Sequence, residues 1–491
     1  MLADQPPFSG APPDHDKIRD ECGVFGIIGL ADAANYVALG LHALQHRGQE
    51  AAGIVAHDGD HGFNSARRFG YVRDNFTSVS TMKTLPGTLA IGHVRYSTAG
   101  SKGYTAIRDV QPFFGEFAMG GAAIAHNGNI TNARELRRGL IERGAIFQSS
   151  SDTECIIHLM ARSMGRTIPD RMKEALRQVE GAFSVVAMTR SKLIGLRDPL
   201  GIRPLVLGQM GGAHILASET CALDIIGAGF MRQVDPGEMV VINADGRIDS
   251  YRPFEPQKPR PCIFEFVYFS RPDSVIDGKS VYEVRRNIGR ELAREAPVVA
   301  DMVCPIPDSG TPAAIGYSQE SGILFEMGIV RNQYVGRTFI EPTEQIRNMG
   351  VRLKLNVNRS LLRGKRVILV DDSVVRGTTS RKIKDMVVEA GAREVHFRVA
   401  SPPTLWPDFY GVDMPDRDEL LAAHMSEEEM REYLGVASLR FVSIDGLYRA
   451  MGEQGGRDPQ NPAYHDAVFT GDYPVPPADM MERGFRLKAA E

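Results

Sequence analysis

Residues 366 to 392 read RVILVDDSVVRGTTSRKIKDMVVEAGA, and no other stretch constrains the fold as tightly. The apolar run is continuous rather than alternating. The strand it forms therefore has no face for water and belongs inside a parallel sheet covered by helices on both sides. The run ends in Asp371 and Asp372, crosses a short polar loop and enters a helical pattern. Open α/β sheets bind their ligands at the carboxyl ends of strands, which is where this order of residues puts two carboxylates. Adjacent carboxylates repel, and a ribose diol with Mg²⁺ offers the hydroxyl donors and the cation that relieve them. Arg376, Gly377, Thr378, Thr379 and Ser380 then lead into a helix start, where N–H groups and the dipole favour a phosphate. There is no GxxxxGK[ST] here and no GxGxxG after the first strand, so NTPase and dinucleotide readings lose support.

The same texture runs from about residue 262 to 450. VYEVRRNIGRELARE, VVADMVCPIP and EVHFRVASPP alternate helix and buried strand, as an α/β domain does. Before it stands RPFEPQKPRPC, residues 252 to 262, where proline and charge replace apolar pattern and one core is expected to end. Between residues 22 and 255, strand-like runs such as GVFGIIGL, TLAIGHV and AFSVVAMTR follow one another between glycine turns. Helical pattern interrupts them over AANYVALGLHALQHRG and from Asp152 to Met164. Strands with few helices predict layered, mostly antiparallel sheets. Residues 1 to 21 and 451 to 491 are rich in Pro, Gly and Asp; the first segment is expected to be disordered, the second a wrapping or loose tail.

A net charge of -4 gives no footprint for nucleic acid or anionic lipid. No apolar run approaches the length that spans a bilayer, and the N-terminus lacks a basic start and an apolar centre, so a cytoplasmic protein is expected. Five cysteines, Cys22, Cys155, Cys221, Cys262 and Cys304, form no CxxC and read as reduced thiols. The pairs His42 with His46 and His57 with His61 lack the glutamate of HExxH and read as surface or core histidines. VVADMVCPIPDSGTPAA ends a second strand at Asp308, Ser309 and Gly310, a turn that either holds a pyrophosphate with its Mg²⁺ or simply caps a helix. RNQYVGRTFIEPTEQIRNMGVRLKLN is long and basic. It reads either as a lid bringing Arg331, Arg337, Arg347, Arg352 and Lys354 onto a leaving group, or as a solvated loop.

The DDSVVRGTT stretch resembles the PRPP-binding motif of type I phosphoribosyltransferases. That resemblance implies a site for 5-phosphoribosyl 1-pyrophosphate (PRPP). Asp371 and Asp372 would hold the ribose, and Ser373, Arg376, Gly377, Thr378 and Thr379 the 5′-phosphate. Asp308, Ser309, Gly310 and Arg337 would face the pyrophosphate, with Mg²⁺ on Ser309, Asp371 and Asp372. Four fragments of the first half, ECGVFGI, GHVRYSTAG, HNGNITN and SSSDTE, resemble the class II glutamine amidotransferase (N-terminal nucleophile) family, an α+β fold of αββα layers. In that family the cysteine is the first residue of the mature enzyme. Its own α-amino group, with a pKa of about 7.7–8.0, is the base that helps the thiol attack an amide. The resemblance therefore implies cleavage between Glu21 and Cys22, making residues 1 to 21 a propeptide and Cys22 the nucleophile. It further implies Arg95 on the glutamine α-carboxylate, Asn127 and Gly128 as the oxyanion hole, and Asp152 on the substrate ammonium. By themselves Arg95 also reads as a surface arginine, Asn127-Gly128 as a hairpin turn, and Ser151 to Glu154 as a capping box.

Joined in one chain, the two resemblances imply that glutamine is hydrolysed at Cys22 and its ammonia carried through an apolar passage to C1 of PRPP. The products are 5-phosphoribosylamine, pyrophosphate and glutamate, the first step of purine synthesis, in a homotetramer inhibited by purine nucleotides such as AMP and GMP. Neither nucleic acid nor membrane is an expected partner. Some proteins of this composite kind carry a [4Fe–4S] cluster on four cysteines. Here Cys262 matches one ligand, while PDFYGVDM and YHDAVFTGDYP offer Asp408, His465 and Val468, so no iron–sulfur cluster is expected and Cys262 reads as a packed remnant. Two rivals fit less well. The sugar-isomerase half of glucosamine-phosphate synthase has no use for DDSVVRGTT, and a PRPP-sensing regulator has none for a processed cysteine domain.

Overall fold

The structure, a computed structural model, describes residues 19–20, 22–59, 62–96, 106–332, 354–414 and 416–481. Two antiparallel sheets build the first half. In the seven-stranded one, Gly23–Ile28 lies between Leu89–Arg95 and Ala213–Ala217. In the six-stranded one, Gly120–Ile130 lies between Phe113–Phe117 and Gly181–Met188. Side chains alternate between the faces of a strand, so a run that is apolar at every position needs cover on both. Val24 and Ile28 face the other sheet, among Ile91, Val186, Leu193 and Leu216. Phe25 and Ile27 face outward, under Val37 and Leu41 of helix Ala33–Ala43. The second sheet is covered in the same way: Ile124, Val185 and Ile194 pack beneath Ile156 and Met160 of helix Thr153–Arg162 and Met172 of helix Ile168–Leu176. The layers run helix, sheet, sheet, helix.

Of the strands in these two sheets that the sequence pattern misses, Gly120–Ile130 is interior, while Phe63–Phe69, Phe113–Phe117, Gly229–Gln233 and Ile248–Tyr251 lie at sheet edges. An edge strand is half in water and needs no clean apolar period.

Residues 252–261 form no helix or strand. Beyond them four parallel strands stand in the order Met302–Pro305, Arg366–Asp371, Glu394–Val399 and Ser438–Phe441. Ile368 and Val370 pack with Ile288, Leu292 and Tyr317 of helices Val281–Glu295 and Thr311–Ser321. Val367 and Leu369 face the other way, onto Ile383 and Val387 of helix Thr378–Glu389. Each of these strand side chains is fully buried, a stabilisation of roughly 1.5–3 kcal/mol apiece. The cluster around Ile368 continues through Phe264, Phe409 and Tyr410 to Ala182, Leu200 and Ile202 of the first half, so one apolar core crosses the junction. The tail wraps over it. Phe469 stacks on Phe264 at 5.5 Å, and buried Asp466 accepts from Tyr448 at 2.7 Å and pairs with Arg457 at 2.6 Å. Further on, the Asp479 carboxylate takes the Arg134 N–H at 2.9 Å, back in the first half.

Helices Val281–Glu295 and Thr311–Ser321 cross with backbones in contact: a Cβ on Gly316 would sit 1.8 Å from the Arg286 carbonyl oxygen. Gly316→Ala must push the helices apart, at a cost of about 1–3 kcal/mol. A thermal melt should place the variant several degrees below the parent, and an unchanged Tm would show that the crossing separates freely.

Candidate functional site

Cys22 precedes strand Gly23–Ile28, with its N–H donating to the Arg47 carbonyl at 3.1 Å and a backbone φ of 72°. A cavity of about 630 Å³ opens beside it, and Arg95, Gly128 and Asp152 line the same space. Sheet register explains the first neighbour: Gly23 pairs with Val94, which sets Arg95 beside Cys22. Arg95 is a pocket arginine, not a surface one; it donates to the Asp109 carbonyl at 2.6 Å. Asn127 and Gly128 sit inside strand Gly120–Ile130 and form no hairpin turn. Glycine is required at 128 because a Cβ there would meet the Ala182 carbonyl oxygen of the adjacent strand at 2.1 Å, with φ at 139°. Asn127 is fully buried; its Nδ2 donates to Ser218 at 3.4 Å, and its Oδ1 has no partner.

Asp152 joins two elements. One oxygen accepts from Ile130 N–H at 3.0 Å and the other from Thr153 N–H at 2.7 Å, so Asp152 itself caps helix Thr153–Arg162. The Ser151–Glu154 capping box does not form, because Glu154 turns back to the Gln148 and Ser149 N–H groups, each at 2.8 Å. Sequence reasoning passed over the two histidines inside GHVRYSTAG and HNGNITN. Burial pushes His93 down to about 3 and lowers His126 as well, so both are neutral and act as props. The His126 N–H donates to Gln111 Oε1 at 2.7 Å, and its ring Nδ1 shares a hydrogen bond with the Thr153 hydroxyl at 3.1 Å.

One wall of this cavity comes from the second half. Pro407, Asp408, Phe409, Gly411, Val412 and Met414 line it. Asn129 donates to the Phe409 carbonyl at 2.8 Å, and a Cβ on Gly411 would lie 3.0 Å from the Gly128 Cα. No local pattern in the sequence announces a contact between residues so far apart. The segment carrying this wall begins at Ala400, whose N–H donates to the Asp371 carbonyl at 2.8 Å. Asp408 holds the wall in shape, accepting from Tyr410 N–H at 2.7 Å and pairing with His465 at 2.7 Å, both side chains buried. Cys262 bridges to His465 along the backbone, and the Val468 carbonyl accepts from Trp406 N–H at 3.0 Å. Ahead of Cys22, Arg19–Asp20 pairs antiparallel with Val412–Asp413, so the chain leading to Cys22 runs along the same wall.

The second centre forms where strands Met302–Pro305 and Arg366–Asp371 end side by side, with Ile306 N–H donating to the Val370 carbonyl at 2.9 Å. Asp371 and Asp372 are buried. Asp372 N–H donates to Asp371 at 3.0 Å and the Ser373 hydroxyl to Asp372 at 2.6 Å. The second oxygen of Asp372 and the hydroxyl of Ser309 are buried without a partner. Each such orphan costs about 1–3 kcal/mol, a cost that a ligand offering donors or a cation removes. Gly310 and Gly377, the latter with φ 75°, precede helices Thr311–Ser321 and Thr378–Glu389, and neither helix has a side-chain cap. Asp308 and Ser309 are therefore not serving as caps. Thr378 and Thr379 form the first turn of the second helix. Arg376 does not face that helix start but pairs with Glu419 at 2.8 Å, and Asp308 pairs with Arg331 at 2.5 Å. Both are exposed ion pairs of low worth. Arg337, Arg347 and Arg352 lie outside the described residues, as do Glu21 and Ser97 to Gly100.

Among the described residues no three His, Cys, Asp or Glu side chains gather as a metal-ligand set. Mg²⁺ does not require one, because it keeps several waters and takes one or two carboxylates with phosphate oxygens. Asp371, Asp372 and Ser309 fit that need, with two unpartnered oxygens between them.

Burial pushes Cys155, Cys262 and Cys304 each up to about 12 and raises Cys221 too, with the Asp408 charge adding to the effect at Cys262. Iodoacetamide near neutral pH should therefore label Cys22, on its open cavity, before the other four. Peptide mass spectrometry of the folded protein checks this; Cys262 labelled ahead of Cys22 would contradict it.

A glutamine amidotransferase domain model matches residues 101–224. The chain is 58% identical over 469 residues to the amidophosphoribosyltransferase of Rhizobium etli, covering 94% of each protein. It is 47% identical over 459 residues to that of Bacillus subtilis, covering 93% of this chain and 95% of that one. A solved structure, the glutamine phosphoribosylpyrophosphate amidotransferase of B. subtilis complexed with ADP and GMP, superposes with a TM-score of 0.86 at 45% identity, over 92% of this chain and 97% of its own. Likeness of this extent runs through both halves and the tail together, and the chain belongs to the amidophosphoribosyltransferase family.

Proposed function

We propose that the chain splits glutamine at Cys22 and delivers the ammonia to C1 of PRPP, forming 5-phosphoribosylamine, pyrophosphate and glutamate at the entry to purine biosynthesis. The observation that carries this reading is the shared wall: the segment starting beside Asp371 closes the cavity that contains Cys22.

The chemistry follows from the residues in place. With the leader removed, the freed Cys22 amine takes the thiol proton, sulfur attacks the glutamine amide carbon, and the C–N bond breaks as the amine returns a proton to departing ammonia. Water then cleaves the thioester to glutamate. Gly128 N–H and the Asn127 amide serve the oxyanion, Arg95 the α-carboxylate and Asp152 the α-ammonium. The apolar flank of Phe409, Val412 and Met414 keeps water away, so that ammonia travels unprotonated. At the other end Asp371 and Asp372 accept from the ribose hydroxyls, while Ser373, Gly377, Thr378 and Thr379 hold the 5′-phosphate at the helix start. Arg376 joins them by exchanging its exposed partner Glu419 for phosphate, and Arg331 leaves Asp308 for the pyrophosphate, with Ser309, Gly310 and Arg337 completing that side. Mg²⁺ held by Ser309, Asp371 and Asp372 would neutralise charge on the departing pyrophosphate. Purine nucleotides such as AMP and GMP as inhibitors, a homotetramer and a cytoplasmic location complete the reading. Its supports are the B. subtilis complex with ADP and GMP and the lack, among the described residues, of any helix long and apolar enough to cross a membrane.

Leader-free protein given glutamine and Mg-PRPP should release glutamate and pyrophosphate in near equal amounts, and glutamine loss that ignores PRPP would count against coupled sites. Cys22→Ala should abolish glutamine use yet still consume PRPP with added ammonia. Asp372→Asn, which removes a charge from the ribose contact, should lower both ammonia- and glutamine-driven synthesis by about 10–100-fold. Protein that keeps its leader should be silent toward glutamine, since the α-amine is then an amide.

A further inference from the structure

The junction between the halves contains a set of charges that the reaction above does not use. Arg47 and Glu219 of the first half and Glu265 of the second are all fully or almost fully buried. Arg47 donates through Nη2 to Glu265 at 2.6 Å and to the Ser270 hydroxyl at 3.1 Å, and its Nε pairs with Glu219. Glu219 also takes His46 at 2.6 Å and the Ser274 hydroxyl at 2.7 Å, and Arg203 reaches Glu265 at 3.2 Å. Well-packed apolar residues of the same volume are often at least as stabilising as such a buried ion cluster, so stability alone does not account for it.

Two further observations give the cluster a direction. Glu265 opens a five-residue π-helical turn, Glu265–Phe269, closed by Ser270 N–H on the Glu265 carbonyl at 3.1 Å. Single π turns recur at functional positions, and this one sets the Ser270 hydroxyl against the Glu265 carboxylate, both on Arg47. The backbone carbonyl of the same Arg47 accepts from the Cys22 nitrogen at 3.1 Å. On the far side the Ser270 carbonyl accepts from Arg285 at 2.7 Å. Burial pushes the Arg285 guanidinium down to about 10, against the opposing pull of Asp372. The contacts therefore run without a break from the nitrogen of the nucleophile to a residue that feels the ribose-binding carboxylate.

We propose that Glu265 is a positioning residue for glutamine hydrolysis: through Arg47 it fixes the carbonyl that aims the Cys22 nitrogen at its own thiol. A side chain of the PRPP-binding half thus holds part of the geometry of the other active site. This rests on Cys22 acting as an N-terminal nucleophile.

Glu265→Gln keeps shape and one acceptor while removing the charge. In leader-free protein its kcat for glutamate release should fall about tenfold or more. Its KM for glutamine should stay within about twofold, because neither Glu265 nor Arg47 lines the cavity. Synthesis from PRPP with added ammonium chloride should also stay within about twofold of the parent. A parental glutaminase kcat would overturn the proposal, and so would a parallel loss of glutamine-driven and ammonia-driven synthesis, which is the mark of a merely structural residue. Should Glu265→Gln not accumulate as folded protein, Ser270→Ala decides by the same three readouts, with an expected glutaminase loss of about threefold. If the leader-free parent itself releases no glutamate, the failure lies with the assignment of Cys22 and not with Glu265.

Discussion

Ammonia is a base that water protonates within moments, so an enzyme that makes it in one place and uses it in another must keep the two places inside one apolar seam. In the function proposed for this chain, the backbone approach of Gly411 to Gly128 is the contact on which such a seam depends. Side chains on either residue would hold the halves apart, and the wall of Phe409, Val412 and Met414 would no longer close the cavity beside Cys22. Much else follows from keeping that seam. The core around Ile368 runs on to Ala182 and Ile202, the buried Asp408–His465 pair fixes the loop, and the tail is stacked over it through Phe469.

Unpartnered buried polar atoms stand at both centres. Around Cys22 they include the Asn127 Oδ1 and the Thr131 hydroxyl, while Thr153 links Asp152 to the His126 ring and the His126 N–H donates to Gln111. The ends of the parallel strands add ion pairs that are easily exchanged. Asp372 and Ser309 hold unpartnered buried oxygens, and Arg331 and Arg376 rest on exposed carboxylates. Such pairs contribute little and are readily exchanged, which is the property that the roles proposed for Arg331 and Arg376 require.

How much of this could be read from residues alone varied with the physics. The interior strand Arg366–Asp371 was legible because burial on both faces leaves a continuous apolar run, and the carboxylates after it fall where the topology requires. Edge strands such as Phe63–Phe69 were not, because water on one side erases the period. Asn127-Gly128 misled in a different way: the same glycine that frees a hairpin turn also admits a neighbouring carbonyl, and only the third dimension separates the two. The short motifs brought Cys22, Arg95, Gly128 and Asp152 to one cavity. The props His93 and His126, the wall from Asp408 to Met414 and the Arg47–Glu265 cluster were invisible, since each depends on partners outside its own local stretch, hundreds of residues away in the case of the wall and the cluster.

The lining of the Cys22 cavity also includes Pro477 and Asp479, among the last described residues of the chain. A ribosome makes Cys22 long before these residues, so during synthesis its thiol sits in a half-built chamber. The chamber is finished only after all four strands of the parallel sheet have been made. The order of translation thus makes closure of this chamber a late step, one that waits for the parallel-sheet half of the chain.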